Sequence, residues 1–320
     1  MPGYLKLLKQ GELTQRIEQL FLLLSPCRLC PLKCGADRLQ GKTGKCKASD
    51  TLRVAKAIPH FGEEPVISGT RGSGTIFFSH CNLTCCFCQN YQISQEELGG
   101  TVTIEELSAM MLSLQEQGCH NINVVSAAHY MPFIVQALYR AACQGLAIPL
   151  VYNTNGYEDT RLLELLEGIV DIYLPDAKYA DDGLALKYSG IKNYTAINLK
   201  ALEEMFRQTA YLEINEAGLA VKGLLVRHLL LPNRLAGTEQ VLAVLKQHFG
   251  RFLAISLMGQ YRPCYAASAY PELSRTTTAE EYGAAVAMLD ALGFENGWVQ
   301  DLGNLDRSFV PDFRKKDSWS

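Results

Sequence analysis

The sequence predicts an α/β protein: a partial or complete parallel β/α barrel behind an N-terminal cysteine-rich metal-binding extension. Two observations predict it. From Thr75 onward, short apolar runs of strand length alternate with longer runs of helical periodicity. That alternation folds as right-handed βαβ units around a parallel sheet. Ahead of it, cysteines crowd a stretch with little periodicity, and eight of the 11 fall within the first 88 residues. The chain of 320 residues is 48% hydrophobic and 20% charged, which suits a sizeable core and excludes a disordered chain.

Residues 1–25 read as one helix ending at Ser25-Pro26. Residues 26–50, rich in Cys, Gly and Lys, read as a metal-stapled knot, because so short a segment buries too little surface to fold alone. Residues 51–74 read as a linker, punctuated by Pro59, Pro65, Gly69, Gly72 and Gly74. These three pieces form the predicted extension, 1–74; the barrel is predicted over 75–320. Its first strand is 75–79. Thr103 and Glu106 make a capping box that opens a helix to about Gln117. A strand follows at 121–126, then a helix with Pro132 in its first turn, a strand at 148–153, a helix at 159–167 and a strand at 170–175. A helix over 196–209 leads to a strand at 222–231, a helix at 238–248, a strand at 252–258, a helix at 278–292 and a short strand at 298–300. The six or seven strands suit a TIM-like barrel, complete or partial, or an open doubly wound sheet.

Charge and targeting exclude several classes. Thirty Lys and Arg face 33 Asp and Glu, a net charge of -3, so no basic footprint for nucleic acid or an anionic membrane is expected. No apolar run approaches the roughly 18 residues of a membrane span. The first residues lack the apolar core of a signal peptide, so a cytoplasmic location is expected. An odd cysteine count without an export signal argues against a disulfide framework. Cys119, Cys143 and Cys264, outside the clusters, are expected to be small buried apolar residues.

The segment SHCNLTCCFCQNY after the first predicted strand places Cys81, Cys85 and Cys88 at the spacing C-x3-C-x2-C. Three thiolates on one loop hold three corners of an iron–sulfur cube and leave one iron open, unlike four-thiolate ferredoxin spacings. The competing reading is structural zinc with His80 or Cys86 as fourth ligand.

The spacing, with Phe87 before the third cysteine, resembles the signature of the radical S-adenosylmethionine (SAM) superfamily. The segments HFGEEPVISGTRGSGTIFFSHCN, CFCQNYQIS, NVVSAAHY, VYNTNGYE, DIYLPDAKY, RHLLLPN and SLMGQYRP look like the PflX-like proteins related to pyruvate formate-lyase activating enzyme. The resemblance implies a [4Fe-4S] cluster on Cys81, Cys85 and Cys88, with SAM chelating the open iron. It further implies reductive cleavage of SAM to a 5′-deoxyadenosyl radical that abstracts hydrogen. Cys86 departs from the pattern and is expected to be a bystander.

The resemblance also directs attention to strand ends. Many superfamily members carry Gly-Gly-Glu after the second strand; here Ser126 and small neighbours stand there, and Ser126 offers a hydroxyl. Asn153 and Asn155 end the third strand, with amides suited to ribose or carboxylate hydrogen bonds; Asn155-Gly156 is equally a turn signal. Asp176 and Lys178 match the Asp-x-Lys of glycyl-radical-enzyme activases, and are otherwise a structural ion pair. Arg227 lies in an apolar strand and needs an anionic partner, which the resemblance implies is the SAM carboxylate. His228 alternates to the other face.

Cys27, Cys30, Cys34 and Cys46, spaced C-x2-C-x3-C-x11-C, fit either a four-cysteine zinc site or a second [4Fe-4S] cluster. The function expected is therefore a radical SAM enzyme, fed by a one-electron donor such as flavodoxin or ferredoxin. Its substrate is either a glycyl-radical enzyme or another protein, peptide or small molecule. A non-catalytic iron–sulfur or zinc protein, and a two-cluster electron carrier, are the alternatives from other classes.

Overall fold

The computed structural model describes residues 1–301 and 310–319; residues 302–309 and 320, within the predicted barrel segment, lie outside the described residues. The N-terminal helix of the sequence reading is two helices, α1 (Gly3–Gln10) and α2 (Glu12–Phe21). Gly11, at φ 72°, ends the first and starts the second, a left-handed conformation that glycine adopts without a steric penalty.

The predicted linker is not a linker. It holds β1 (Arg53–His60) and a single helical turn, α3 (Pro65–Ser68), ahead of β2 (Ser73–Phe78). β1 runs antiparallel to β2, with Val54 opposite Phe78 and His60 opposite Ser73. The sheet therefore begins inside the predicted extension. The chain continues through α4 (Tyr91–Ser94), β3 (Gly100–Thr101), α5 (Ile104–Glu116), β4 (Ile122–Val125), α6 (Met131–Cys143), β5 (Leu150–Thr154), α7 (Thr160–Leu165) and β6 (Ile172–Pro175). It ends through α8 (Asp182–Ser189), α9 (Tyr194–Thr209), β7 (Glu213–Ile214), β8 (Ala220–Leu229), α10 (Thr238–Phe249), β9 (Ala254–Met258), α11 (Ala279–Leu292) and β10 (Asn296–Val299).

Among the described residues the strands form one sheet in the order β10-β9-β8-β6-β5-β4-β2-β1-β3, with β7 against β8. From β2 to β10 along that order every pairing is parallel. The sheet has two edges, β10 and β3, so of the expected forms the partial barrel is the one adopted. The capping box at Thr103 and Glu106 is formed in both directions, and Asp159 caps α7 through the Arg161 backbone N–H.

Strand alternation sorts the residues. Val124, Tyr152, Tyr173, Val226 and Leu257 face out and join the helices in the main hydrophobic core. Val151, Ile172, Leu174, Leu225 and Ala254 face in and pack on Val66 and Ile67 of α3. That turn is a stopper in the barrel floor: Ile67 is fully buried, and burying one such side chain contributes about 1.5–3 kcal/mol. Above the stopper the inward positions turn polar.

Candidate active site

A cavity of about 580 Å³ occupies the barrel interior above α3. Cys81, Cys85 and Cys88 line it, and so do Phe87, Ser126, Asn153, Asn155, Asp176, Lys178 and Arg227. Residues spread over 147 positions of sequence thus meet at one place, because each sits in a strand or just beyond its C-terminal end.

The thiol loop leaves β2 through His80, whose φ of 73° turns the chain and whose N–H donates to Ile93 O at 2.9 Å. The loop then docks on the end of α8, with Thr84 N–H on Ser189 O at 3.0 Å and Cys86 N–H on Tyr188 O at 2.8 Å. Each thiol has a polar neighbour. Asn155 Nδ2 reaches Cys81 Sγ at 3.5 Å, Ser189 Oγ lies 3.0 Å from Cys85 Sγ, and Ser94 Oγ lies 3.3 Å from Cys88 Sγ. Burial pushes all three thiols up, Cys85 to about 11. A buried thiol is a poor anion alone and becomes a thiolate when a metal takes the place of its proton. Cys86 is buried in an apolar cluster with Tyr188 and Tyr261 and does not line the cavity.

Phe87 packs edge-on against Tyr261, ring centroids 5.8 Å apart. Ser126 holds a left-handed φ of 48°, uncommon for a residue with a Cβ; its N–H donates to Asn153 O at 2.7 Å. Asn155 forms the expected turn. Its Oδ1 accepts from Tyr157 N–H at 3.0 Å as a turn, and its Nδ2 bonds Asn82 Oδ1 at 2.7 Å beside the thiol loop. Lys178 Nζ meets Asp176 Oδ2 at 2.5 Å. Burial works against the lysine charge, but Asp176 and the Cys85 thiol outweigh it and hold the pKa above the usual value.

Arg227 already has an anionic partner in the protein. Its Nη1 lies 2.6 Å from Glu63 Oε2, with Glu64 Oε2 at 3.8 Å and Asp176 Oδ1 3.7 Å from Nε. Burial opposes the guanidinium charge, and the Glu64 and Glu63 carboxylates outweigh it. The SAM carboxylate is thus not needed to neutralise Arg227, which corrects that step of the sequence reading. Glu63 Oε1 also accepts from Asn123 Nδ2 at 3.0 Å and Asn153 Nδ2 at 3.2 Å. The sequence reading missed Glu63 and Glu64; their signal was two acids between Gly62 and Pro65 in a stretch taken as linker. His228 is fully buried on the outer face, bonded to Ala177 O and Thr238 Oγ1.

Residues 75–209 match the family model described as the radical SAM superfamily. That match covers 135 of the 320 residues and includes Cys81, Cys85 and Cys88. A curated relative, the uncharacterized protein MJ0674 of Methanocaldococcus jannaschii, is 27% identical over 293 residues, covering 89% of this chain and 80% of its own. Solved structures similar to the chain include the FeFe-hydrogenase maturase HydG from Carboxydothermus hydrogenoformans, at 13% identity and TM-score 0.48, covering 72% of this chain and 53% of that one. Methylornithine synthase matches at 15% identity and TM-score 0.47, covering 68% and 60%. Native anSMEcpe with bound AdoMet matches at 11% and 0.46, covering 68% and 61%. The chain thus spans about half to three fifths of the length of these solved proteins.

The radical SAM superfamily implies a [4Fe-4S] cluster and SAM. The residues present fit both. Three thiols share one cavity wall, and Asp176 Oδ1 and Arg227 Nε are buried there without hydrogen-bond partners, a pairing suited to an amine and a carboxylate. Among the described residues no three His, Cys, Asp or Glu side chains converge closely enough to hold a single metal ion. No helix of the described residues is long and apolar enough to cross a membrane.

Two further expectations need correction. Cys119 is buried as expected, but Cys143 is exposed and Cys264 only half-buried. Cys264 lies close enough to Cys88 for its charge to be felt there.

Proposed function

We propose that this chain is a radical SAM enzyme whose reaction takes place in the barrel cavity. The observation that carries the reading is the meeting of Cys81, Cys85 and Cys88 with Asp176, Lys178 and Arg227 around one cavity. When bound, the [4Fe-4S] cluster and SAM supply the one-electron chemistry that yields a 5′-deoxyadenosyl radical for hydrogen abstraction.

The chain's own residues hold, orient and shield. Cys81, Cys85 and Cys88 would hold the cluster, and Ser189, Ser94 and Asn155 direct polar groups at their sulfurs. Asp176 Oδ1 would accept from the SAM amino group and Arg227 Nε would donate to its carboxylate, both atoms being buried without hydrogen-bond partners. Glu63 fixes the guanidinium so that Nε stays turned to the cavity. Lys178 pairs with Asp176 Oδ2 and leaves Oδ1 free of hydrogen bonds. Ser126, Asn153 and Phe87 complete the SAM surface, and α3 seals the floor against water.

The substrate we favour is a glycyl-radical enzyme, on the likeness of Asp176 and Lys178 to the activase Asp-x-Lys; the electron donor is then a flavodoxin or ferredoxin. Cys27, Cys30, Cys34 and Cys46 hold a separate metal centre, zinc or a second [4Fe-4S] cluster. The test is anaerobic turnover of reconstituted protein with dithionite and SAM, with 5′-deoxyadenosine quantified. Product from the wild type that is lost in Cys85→Ala supports the enzyme. A full, reducible cluster that yields no product, with or without a glycyl-radical-enzyme peptide, supports a non-catalytic iron–sulfur protein instead.

A further inference from the structure

Arg38 is the largest fully buried side chain in the described molecule. It lies in a short turn between Cys34 and Cys46. Its Nη1 donates to His129 O at 2.5 Å, its Nη2 donates to Ser49 O, and its guanidinium stands 5.9 Å from the Tyr130 ring centre. These partners are two carbonyls and a ring; none is a carboxylate. Nε is buried without any hydrogen-bond partner. Taking a guanidinium out of water costs several kcal/mol unless an anion accompanies it, and Arg does not shed its proton to escape that cost.

The groups that meet this charge are sulfurs. The backbone folds the Arg38 turn onto Cys27, with Cys27 N–H on Ala36 O at 2.9 Å, Gly35 N–H on Cys27 O at 3.1 Å and Arg38 N–H on Leu24 O at 3.2 Å, and the guanidinium lowers the cost of charge on Cys27 and Cys46. Cys27, Cys30 and Cys46 are buried, and Cys34 closes the knot from its exposed side. Cys30 feels Cys27 and Cys46, and Cys46 feels Cys27 and Cys34. Gly44 passes so close to Cys34 that a Cβ there would come within 2.3 Å of the sulfur, so the loop is shaped around that thiol. As neutral thiols, these four cysteines leave Arg38 an unanswered charge. As metal-bound thiolates they carry more negative charge than one zinc ion or one cluster core cancels.

We infer that Arg38 is the buried counter-cation of a thiolate metal centre on Cys27, Cys30, Cys34 and Cys46. The inference rests on the N-terminal metal reading and is independent of chemistry at Cys81, Cys85 and Cys88. A single zinc requires the four sulfurs to draw in to roughly 3.8 Å of one another, from Zn–S bonds of about 2.3 Å; a cluster spreads them over separate irons. Arg38 is a positioning residue in either case. It also joins the two cysteine sites, because His129 in turn bonds Ser79 O through Nε2 at 2.9 Å, two residues before Cys81.

The test uses the full chain with Cys81, Cys85 and Cys88 all changed to Ala, so that metal at the cavity does not contribute. Zinc and iron are counted after anaerobic purification. About one zinc, or about four irons, per chain is expected, falling away when Cys34→Ser is added; neither metal, or metal indifferent to Cys34→Ser, overturns the centre. Arg38→Met and Arg38→Lys are then compared for metal retention against a chelator. Loss of a second-sphere partner weakens retention by about 10- to 100-fold, and Arg38→Lys, which keeps the charge, retains part of it. Retention equal to that of the parent in both variants overturns the role of Arg38. Should Arg38→Met fail to fold, Arg38→Lys is measured for thermal stability with and without Cys34→Ser. A penalty that disappears when the thiol is absent supports coupling through the metal; an unchanged penalty reduces Arg38 to a bond between carbonyls and overturns the inference.

Discussion

Arg227 and Glu63, 164 residues apart in sequence, form a 2.6 Å ion pair on the inner face of the barrel. The pair exists because β1 runs against its neighbours. Its end delivers the Gly62–Pro65 corner to the barrel floor, where the inward positions of β4, β5 and β8 supply Asn123, Asn153 and Arg227.

A double-mutant cycle measures this pairing. Glu63→Gln and Arg227→Met are each expected to destabilise the fold, by roughly 3–5 kcal/mol where a buried charge is stranded. Glu64 and Asp176 lie near enough to soften the loss of Glu63. The double variant is expected to cost less than the sum, by about 1 kcal/mol or more. Denaturant midpoints decide it, and strict additivity would show that the two side chains do not act as a pair.

Cys86 differs from its neighbours in where it points. Cys81→Ala, Cys85→Ala and Cys88→Ala are each expected to lose the cavity cluster, whereas Cys86→Ala keeps it. Iron counts and the cluster absorption of anaerobic protein check this. Loss of iron in Cys86→Ala alone would reverse the ligand assignment.

Asp176 is expected to matter for SAM more than for folding. Asp176→Asn keeps the shape but removes the charge beside Lys178 and the proposed amino-group acceptor. Loss of one charged hydrogen bond is on the order of 1.5–3 kcal/mol, or roughly 10- to 100-fold in SAM affinity by equilibrium dialysis. Unchanged affinity would leave Asp176 and Lys178 as a structural pair.

His228 sets a pH dependence of stability. Burial lowers its pKa to about 4, below an ordinary histidine near 6.5. Between those values the unfolded chain binds a proton that the folded chain does not, so stability falls as pH falls from about 6.5 towards 4. Each such histidine contributes a slope of about 1.4 kcal/mol per pH unit at full effect. His228→Gln is expected to flatten, not abolish, the slope in urea melts at pH 7 and 5, because burial lowers His129 too, to about 3. An unchanged slope would mean that the ring is protonated in the fold.

Much of the barrel was legible because its signals are local. The capping box at Thr103, the aspartate cap at Asp159 and the parity that turns Arg227 inward and His228 outward are all written within a few residues. The thiol triad is local as well. β1 was not legible: it carries Lys56 and Pro59, and most of its residues are only half-buried, so it shows neither an apolar run nor a clean alternation. α8 was passed over for lack of a marked apolar face, although Asp181 and Gly190 cap its two ends. Glu63 was out of reach for another reason. Its partner lies 164 residues away, and no periodicity links a charge to a counter-charge across that distance. Arg38 was legible only as one of several basic residues around the first cysteine cluster; that it alone is fully buried was not.

The C-terminal segment bears on how the protein is handled. Phe313 and Trp319 pack on Phe77, and Trp319 lies 4.6 Å from the His60 ring, while Pro311, Asp317 and Trp319 form part of the cavity wall. A bulky fusion placed near Trp319 would therefore crowd the cavity wall. Met1 is 84% exposed and α1 packs on the helical exterior, against α2 and α6. Purification handles and fluorescent labels therefore belong at the N terminus, and a C-terminal tag that silences the protein would be reporting obstruction of its doorway.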